Sequence, residues 1–421
     1  MFEKDRKSND ERWARQAKKH AERGVLERWA SRGNTTKDAD DFMREEAKRD
    51  DEDFEKKFVK ESRKEYEIWE EHARPVREAF LQQVRNPEGV DFVTVAVFLP
   101  GGMRAGALAG AALGLDLLGA NSNIIDYAVG SSSGDNVATR FVGGREQLLR
   151  GIAMFKGPLS DEQFIGPRWG NVINLEYLKQ LEDEGEYALD EDRIRKAHCK
   201  LWTIVTEPMK GDEEPRARIL DKKTIRPGIS TGSVATMSIP QVTGDIPEID
   251  GEKLYDGGFA AFPLKEVIEK VKSENPGKKV KMLIFTQASF EAMDDIKPAP
   301  LEVVGQKVMR SIAGPVSGMG SLKSAATIRQ LAKGLVLKEN LRKTLKAVEE
   351  ETGADIGVEW APPSEVGMVS IDSDEIGMSI SQGVRQTIGR FGGTQPEEIP
   401  EYIPENKRLL QQAIEEYRRI A

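Results

Sequence analysis

The sequence predicts an α/β protein: an open, mostly parallel sheet covered on both faces by helices, with a charged helical extension in front of it. Three observations carry this expectation. Nearly continuous apolar runs of strand length alternate with helix-period segments from residue 90 onward. Glycine-rich turns stand where two of those runs end. Charge density also falls by half at a boundary placed near residue 85: 43 of the first 80 residues are charged, against 90 of the remaining 341.

In residues 1–85 the apolar positions are sparse but helically spaced, as in Phe54, Phe58, Tyr66, Ile68 and Trp69. Acidic and basic residues are balanced, which suits solvated helices with i,i+4 pairs rather than a basic membrane-surface helix. Such a segment buries too little to fold alone. Its expected state is a helical or partly disordered extension, with a partner for it left unassigned.

The first strand is read over 92–99, a run of Phe, Val, Thr, Ala and Leu suited to a strand buried on both faces. Small residues over 105–118 predict a closely packed helix. A short strand follows at Tyr127-Ala128-Val129, with further strands over 201–206 and 280–285. Helices are expected near 144–154, 175–183 and 262–273. A long amphipathic helix is read over 324–351, with Gly334 as its weak point. An extended linker follows at 396–404, and a terminal helix at 408–420. The main domain is therefore 86–395, followed by a linker and helix over 396–421. Alternation of strand, turn and helix is the signature of a covered open sheet.

Composition narrows the function classes. With 62 basic and 71 acidic residues the chain carries a net charge near −9, which lacks the basic footprint of a nucleic-acid binder. A single cysteine, Cys199, excludes an internal disulfide framework and a multi-cysteine zinc site. Three histidines, at 20, 72 and 198, leave little scope for a histidine-based metal site. No apolar run reaches the length of a membrane span, and the charged first residues do not form a secretory signal. A cytoplasmic location is expected, with room for peripheral contact with a membrane.

Three motifs carry chemistry. Gly130-Ser131-Ser132-Ser133-Gly134 follows a predicted strand and fits G-x-S-x-G, the sharp strand-to-helix turn that exposes a nucleophilic serine. A helix N-cap serine would produce the same pentapeptide. Pro100-Gly101-Gly102-Met103-Arg104 ends the first strand, and its glycines allow backbone N–H groups to face a cavity, as an oxyanion hole needs. It matches neither nucleotide-phosphate pattern; a plain strand–helix turn is its alternative. Leu254-Tyr255-Asp256-Gly257-Gly258 presents an aspartate on a tight turn, and Asp-Gly is also an ordinary turn signal. No histidine follows Asp256, so the order Ser…Asp…His of an α/β-hydrolase is unavailable to it. His198 precedes a strand and reads as structural. A Ser–Asp dyad is the simpler proposal, because aspartate, with an ordinary pKa of about 3.9, is ionised at neutral pH.

Together these motifs resemble the patatin-like phospholipases, in particular their stand-alone bacterial branch. Residues 100–106 resemble that family's glycine-rich loop, 130–134 its serine elbow and 256–258 its Asp-Gly-Gly motif, in the same order. The stretches 230–240 and 249–263, and Val358-Glu359-Trp360-Ala361-Pro362-Pro363, are also similar. The likeness spans roughly residues 90–390. It implies a three-layer α/β/α sandwich and hydrolysis of lipid acyl esters through an acyl-enzyme, with no metal or cofactor. It implies Ser132 as nucleophile, Asp256 as its partner, and an oxyanion loop of Gly101, Gly102 and Met103. Arg104 is implied to orient the loop, with Gly130, Gly134, Gly257 and Gly258 in support.

The chain departs from the family pattern at three places: Pro100 replaces a glycine, Ala105 replaces the glycine of x-R-G, and Asp135 follows the elbow. Asp135 suits a helix N-terminus but places a carboxyl near a site that must stabilise an oxyanion. Two alternatives follow. One is a catalytically impaired relative that binds lipid or protein; the other is an esterase or thioesterase of small acyl substrates. An acyl pocket is sought in 151–195, where Phe155, Phe164, Trp169 and Tyr177 are available, with core packing as the alternative role.

Overall fold

The computed structural model describes residues 53–168, 171–208, 215–239, 242–243, 246–287, 341–361, 366 and 371–392. The chain divides into two compact units, Met1–Trp69 and Glu70–Ala421. Of the first, only the start of one helix is described, so the expectations for residues 1–52 lie outside the described residues. So do those for 396–404 and 408–420, and for the predicted helix before residue 341.

The second unit is a mixed α/β domain with a mostly parallel sheet in a three-layer α/β/α arrangement. In chain order its principal elements are α1 (Asp53–Arg85, shared with the first unit), β1 (Phe92–Phe98), α2 (Ala105–Leu117) and β2 (Tyr127–Ser131). They continue with α3 (Ser133–Val142), α4 (Arg145–Lys156), α5 (Leu175–Asp183), β3 (Lys200–Thr206) and β4 (Ala217–Asp221). The remainder are α6 (Ile229–Thr236), β5 (Tyr255–Asp256), α7 (Leu264–Glu274), β6 (Lys279–Thr286), α8 (Leu341–Thr352), β7 (Asp355–Trp360) and α9 (Ser373–Phe391).

The strand order is β7-β6-β1-β2-β3-β4, with β5 also paired to β3. The pairs β7/β6, β6/β1, β1/β2 and β2/β3 are parallel, while β4 and β5 run antiparallel to β3. Every residue of β1 and β2 is buried, as suits their mostly apolar composition. From β1 the chain moves to β2 on one side, and only later returns to place β6 on the other. The carboxyl ends of β1, β2 and β6 therefore meet where the winding direction changes, the place where open α/β sheets form their crevice.

The small residues of α2 let it lie close against α9: a side chain at Gly383 would strike the Ala107 carbonyl. The end of α1 carries Ala73, Val76 and Phe80 on one helical stripe; all three are buried, and the Phe80 ring meets Phe391 edge-on at 6.4 Å. Phe155 and Phe164 sit in the main core and Tyr177 packs against it, while Trp169 lies outside the described residues. Those described aromatic side chains therefore take the packing role.

Candidate active site

β2 ends in Ser131 and α3 begins at Ser133, so Ser132 alone makes the turn between strand and helix. Its backbone sits at φ 52°, ψ −134°, and Asp250 is the other non-glycine residue with positive φ among the described residues. A serine in this region carries strain of about 1–3 kcal/mol, which the surroundings must hold. The local sequence permits the turn because of its two glycines. A Cβ at Gly130 would fall on the Asp135 backbone, and one at Gly134 on the carbonyl oxygens of Phe98 and Leu99. Strand, elbow and the end of β1 are thus packed backbone to backbone.

The acid arrives from a different part of the chain. β5 pairs with the end of β3, Val205 opposite Asp256, which delivers the carboxyl to the elbow. Ser132 Oγ donates to Asp256 Oδ2 at 2.7 Å. The other carboxylate oxygen, Oδ1, accepts the N–H of Gly258 at 2.7 Å. The Asp256 carbonyl accepts the Thr206 hydroxyl at 2.8 Å, so the turn is tied to β3 as well. Both side chains are buried, Ser132 at 9% exposure and Asp256 at 6%. Burial pushes the Asp256 carboxyl up to about 6, against the opposing pull of the Ser132 and Gly258 hydrogen bonds. That places it close to neutrality while leaving it ionised at pH 7, a useful range for a base.

The glycine loop lies beside both. Gly101 donates its N–H to Ser133 Oγ at 3.3 Å, and a Cβ at Gly258 would stand 3.6 Å from Pro100 Cγ. Gly102, at φ +64°, and Met103 open a single 3-10 turn over Gly102–Arg104, and neither amide has an acceptor among the described residues. Gln287, just beyond β6, donates through Nε2 to Leu99 O at 2.9 Å and reaches Ser133 Oγ at 3.4 Å. Its Oε1 lies against Gly101 and has no partner among the described residues. Arg104 donates from Nε to the Val366 carbonyl at 3.1 Å, tying the loop to the segment before α9.

Asp135 is fully buried and is held from β3. Thr203 donates to its Oδ1 at 2.7 Å, and Thr139 Oγ1 is 3.5 Å from Oδ2. Desolvation pushes its carboxyl up to about 7, and these hydroxyls only partly offset that. Its charge is thus diminished near neutrality, and its oxygens engage threonines rather than Ser132 or Asp256. Behind it, Glu182 joins two helices, accepting from Asn136 of α3 at 2.5 Å and from Ser233 of α6 at 3.3 Å. Burial pushes that carboxyl up to about 8.

The remaining candidates are elsewhere. His198 lies before β3, at the end of the strand away from the elbow, with Nε2 3.5 Å from Asp126. Cys199 is buried, and its thiol is held well above its ordinary value by desolvation. Among the described residues no group of histidine, cysteine and acidic side chains has a metal-binding arrangement, and no helix is long and apolar enough to cross a membrane.

No family model matches this chain, and no curated protein matches it. Among solved structures it is similar to the crystal structure of VipD from Legionella pneumophila, with a TM-score of 0.38 and 11% identity over 78% of this chain and 74% of that chain.

Three site residues were not singled out in the sequence. Thr236, Thr206 and Gln287 each hold part of the arrangement through one hydroxyl or amide, yet each is a single polar residue at the end of an element. For Thr236 the one signal was the likeness of the stretch 230–240, which singles out no residue within it.

Proposed function

We propose that the protein is a serine hydrolase of acyl esters, with lipids as its substrate class. The observation that carries this reading is the 2.7 Å hydrogen bond from Ser132 Oγ to Asp256 Oδ2 at a strained strand-to-helix elbow. Ser132 Oγ attacks the ester carbonyl carbon while Asp256 takes its proton. Negative charge then develops on the carbonyl oxygen. The Gly102 and Met103 amides, which have no acceptor among the described residues, would receive it, with Gly101 holding the loop through Ser133. One such donor is typically worth about 3 kcal/mol of transition-state stabilisation. The tetrahedral adduct collapses, the C–O bond to the alcohol breaks, and the alcohol oxygen takes the proton from Asp256. Water, deprotonated by the same carboxylate, then attacks the acyl carbon; the bond from that carbon to Ser132 Oγ breaks, Oγ takes the proton back from Asp256, and the fatty acid leaves. Lipid as substrate class rests on the resemblance of the three motifs to the patatin-like phospholipases.

The test is hydrolysis of phosphatidylcholine vesicles, and of p-nitrophenyl esters of short and long chains, by the intact chain. Fatty acid release from the vesicles and preference for the long chains support the lipid reading. Preference for short chains moves the assignment to a small-ester hydrolase. No hydrolysis of either class by folded protein moves it to a binding protein.

A further inference from the structure

Thr236 ends α6 and is completely buried. Its hydroxyl faces two segments of the chain at once. Oγ1 accepts the N–H of Ser132 at 2.8 Å and donates its own proton to the carbonyl of Ile204 on β3. A hydroxyl has one proton and two lone pairs, so donating to Ile204 orients a lone pair toward Ser132. The Thr236 carbonyl, in turn, accepts the N–H of Gly257 at 3.1 Å, and two residues later Ser238 O accepts the N–H of Asp256 at 2.8 Å. One turn of backbone thus grips the nucleophile's residue on one side and the acid's turn on the other.

The elbow needs such a grip. Ser132 is held at positive φ without glycine's freedom, and strain of that kind persists only where the surroundings over-determine it. Its amide points out of the helix and has Thr236 as its acceptor; without that hydroxyl a buried N–H is orphaned. The same loss frees the Ile204 carbonyl, which also bounds the space beside Gly257, where a Cβ would strike it.

We infer that Thr236 is a positioning residue of this site: its hydroxyl holds Ser132 in the elbow conformation and its carbonyl holds the Asp256 turn, so that the two reacting side chains meet at hydrogen-bond distance. The inference rests on Ser132 and Asp256 being the reacting pair. It predicts that the hydroxyl governs the rate at each reactive serine, and not only the stability of the fold.

The experiment compares the intact chain with its Thr236→Val, Thr236→Ser and Thr236→Ala variants. A fluorophosphonate counts reactive serines, and p-nitrophenyl butyrate hydrolysis gives kcat and KM, so that kcat is expressed per titrated serine. Thr236→Val keeps the shape and deletes the hydroxyl. It is expected to lose roughly 10- to 100-fold in kcat per titrated site, since misplacing a reacting group by about an ångström costs about that much. KM should move by no more than about threefold, as expected for an effect on the transition state. Thr236→Ser restores the hydroxyl and should return to within about threefold of wild type. If Thr236→Val does not fold, Thr236→Ala replaces it, and the same loss is expected. A folded variant lacking the hydroxyl that melts earlier but keeps wild-type kcat per titrated serine overturns the inference. So does a serine variant as slow as the valine or alanine one. Wild-type protein that is folded, unlabelled and inactive overturns the dyad reading itself, an outcome seen before any Thr236 variant is made.

Discussion

Ser132 Oγ and Asp256 Oδ2 lie 2.7 Å apart although 124 residues of chain separate them. The contact is made by backbone packing rather than by long side chains. The elbow is fixed by Gly130 and Gly134 against the neighbouring backbone, and the acid's turn is pinned to Thr206, Thr236 and Ser238. A serine and a short acid on rigid turns keep their separation with little conformational freedom to lose, which is the requirement for a preorganised site.

The pH dependence of turnover follows from the burial of Asp256. On the proposed mechanism its carboxyl, pushed up to about 6, must be ionised to accept the serine proton, so activity is expected above that value and should be lost as pH falls through it. The logarithm of kcat/KM for ester hydrolysis should rise with unit slope up to about pH 6 and then level off. In Asp256→Asn the base is gone, and activity should fall by about 10²- to 10⁴-fold at pH 8, in line with the usual contribution of a general base. A profile rising instead near pH 4 would show that the carboxyl is not the buried one seen here.

Neighbouring glycines in the loop should fail for different reasons. Gly102 has φ +64°, so Gly102→Ala carries a backbone penalty of about 1–2 kcal/mol wherever its side chain points. Gly101 has φ 169°, outside the left-handed region, and its Cβ would meet the Gln287 side chain. Gly101→Ala should therefore be partly repaired by Gln287→Ala, while Gly102→Ala should not. Urea unfolding of the singles and doubles measures this as a coupling of about 0.5–3 kcal/mol for the first pair and near zero for the second.

Asp135 should influence stability more than rate. Its folded carboxyl titrates near 7, above the ordinary 3.8, so the native state holds the proton more tightly than the unfolded chain. Stability must then fall as pH rises from about 4 to about 7, and the full cost is present above that window. Asp135→Asn can still accept from Thr203. It is expected to raise stability at pH 8 by something on the order of 3 kcal/mol and to change it little near pH 4. Glu182, titrating near 8, contributes its own slope, so the difference between wild type and variant is the quantity to follow. Because its oxygens engage Thr203 and Thr139, kcat/KM at pH 8 should change by less than about tenfold. Denaturant melts across pH, with ester hydrolysis alongside, check both halves.

Much of this architecture was legible in the residues. The nearly continuous apolar run over 92–99, the small residues that open α2, and the predicted strands over 201–206 and 280–285 all became the expected elements within a residue or two. The second strand runs to Ser131, two residues past the expected Val129, because the elbow glycine continues the ladder opposite Thr203. The edge strand β4 was not expected. Ala217–Asp221 mixes charged and apolar residues at half-buried positions, and its pairing with β3 is a tertiary choice with no local signal. Strand order was equally unreadable, since β1 pairs in parallel with β6 across a separation that no periodicity reports. At the site, the glycine motifs announce where backbones must approach closely. The hydroxyls and amide that fasten them, at Thr206, Thr236 and Gln287, differ in no visible way from ordinary polar residues. The hydroxyl that holds Asp135 was equally unreadable, because Thr203 comes from β3 while Asp135 sits on α3.

The most direct test of the account is covalent labelling of the intact chain with a fluorophosphonate, followed by mass spectrometry of the modified peptide. One adduct per folded chain is expected, on Ser132, absent in Ser132→Ala and formed roughly 10²- to 10⁴-fold more slowly in Asp256→Asn. A folded wild-type chain that takes no label, takes it on another residue, or reacts equally fast without the Asp256 carboxylate would contradict it.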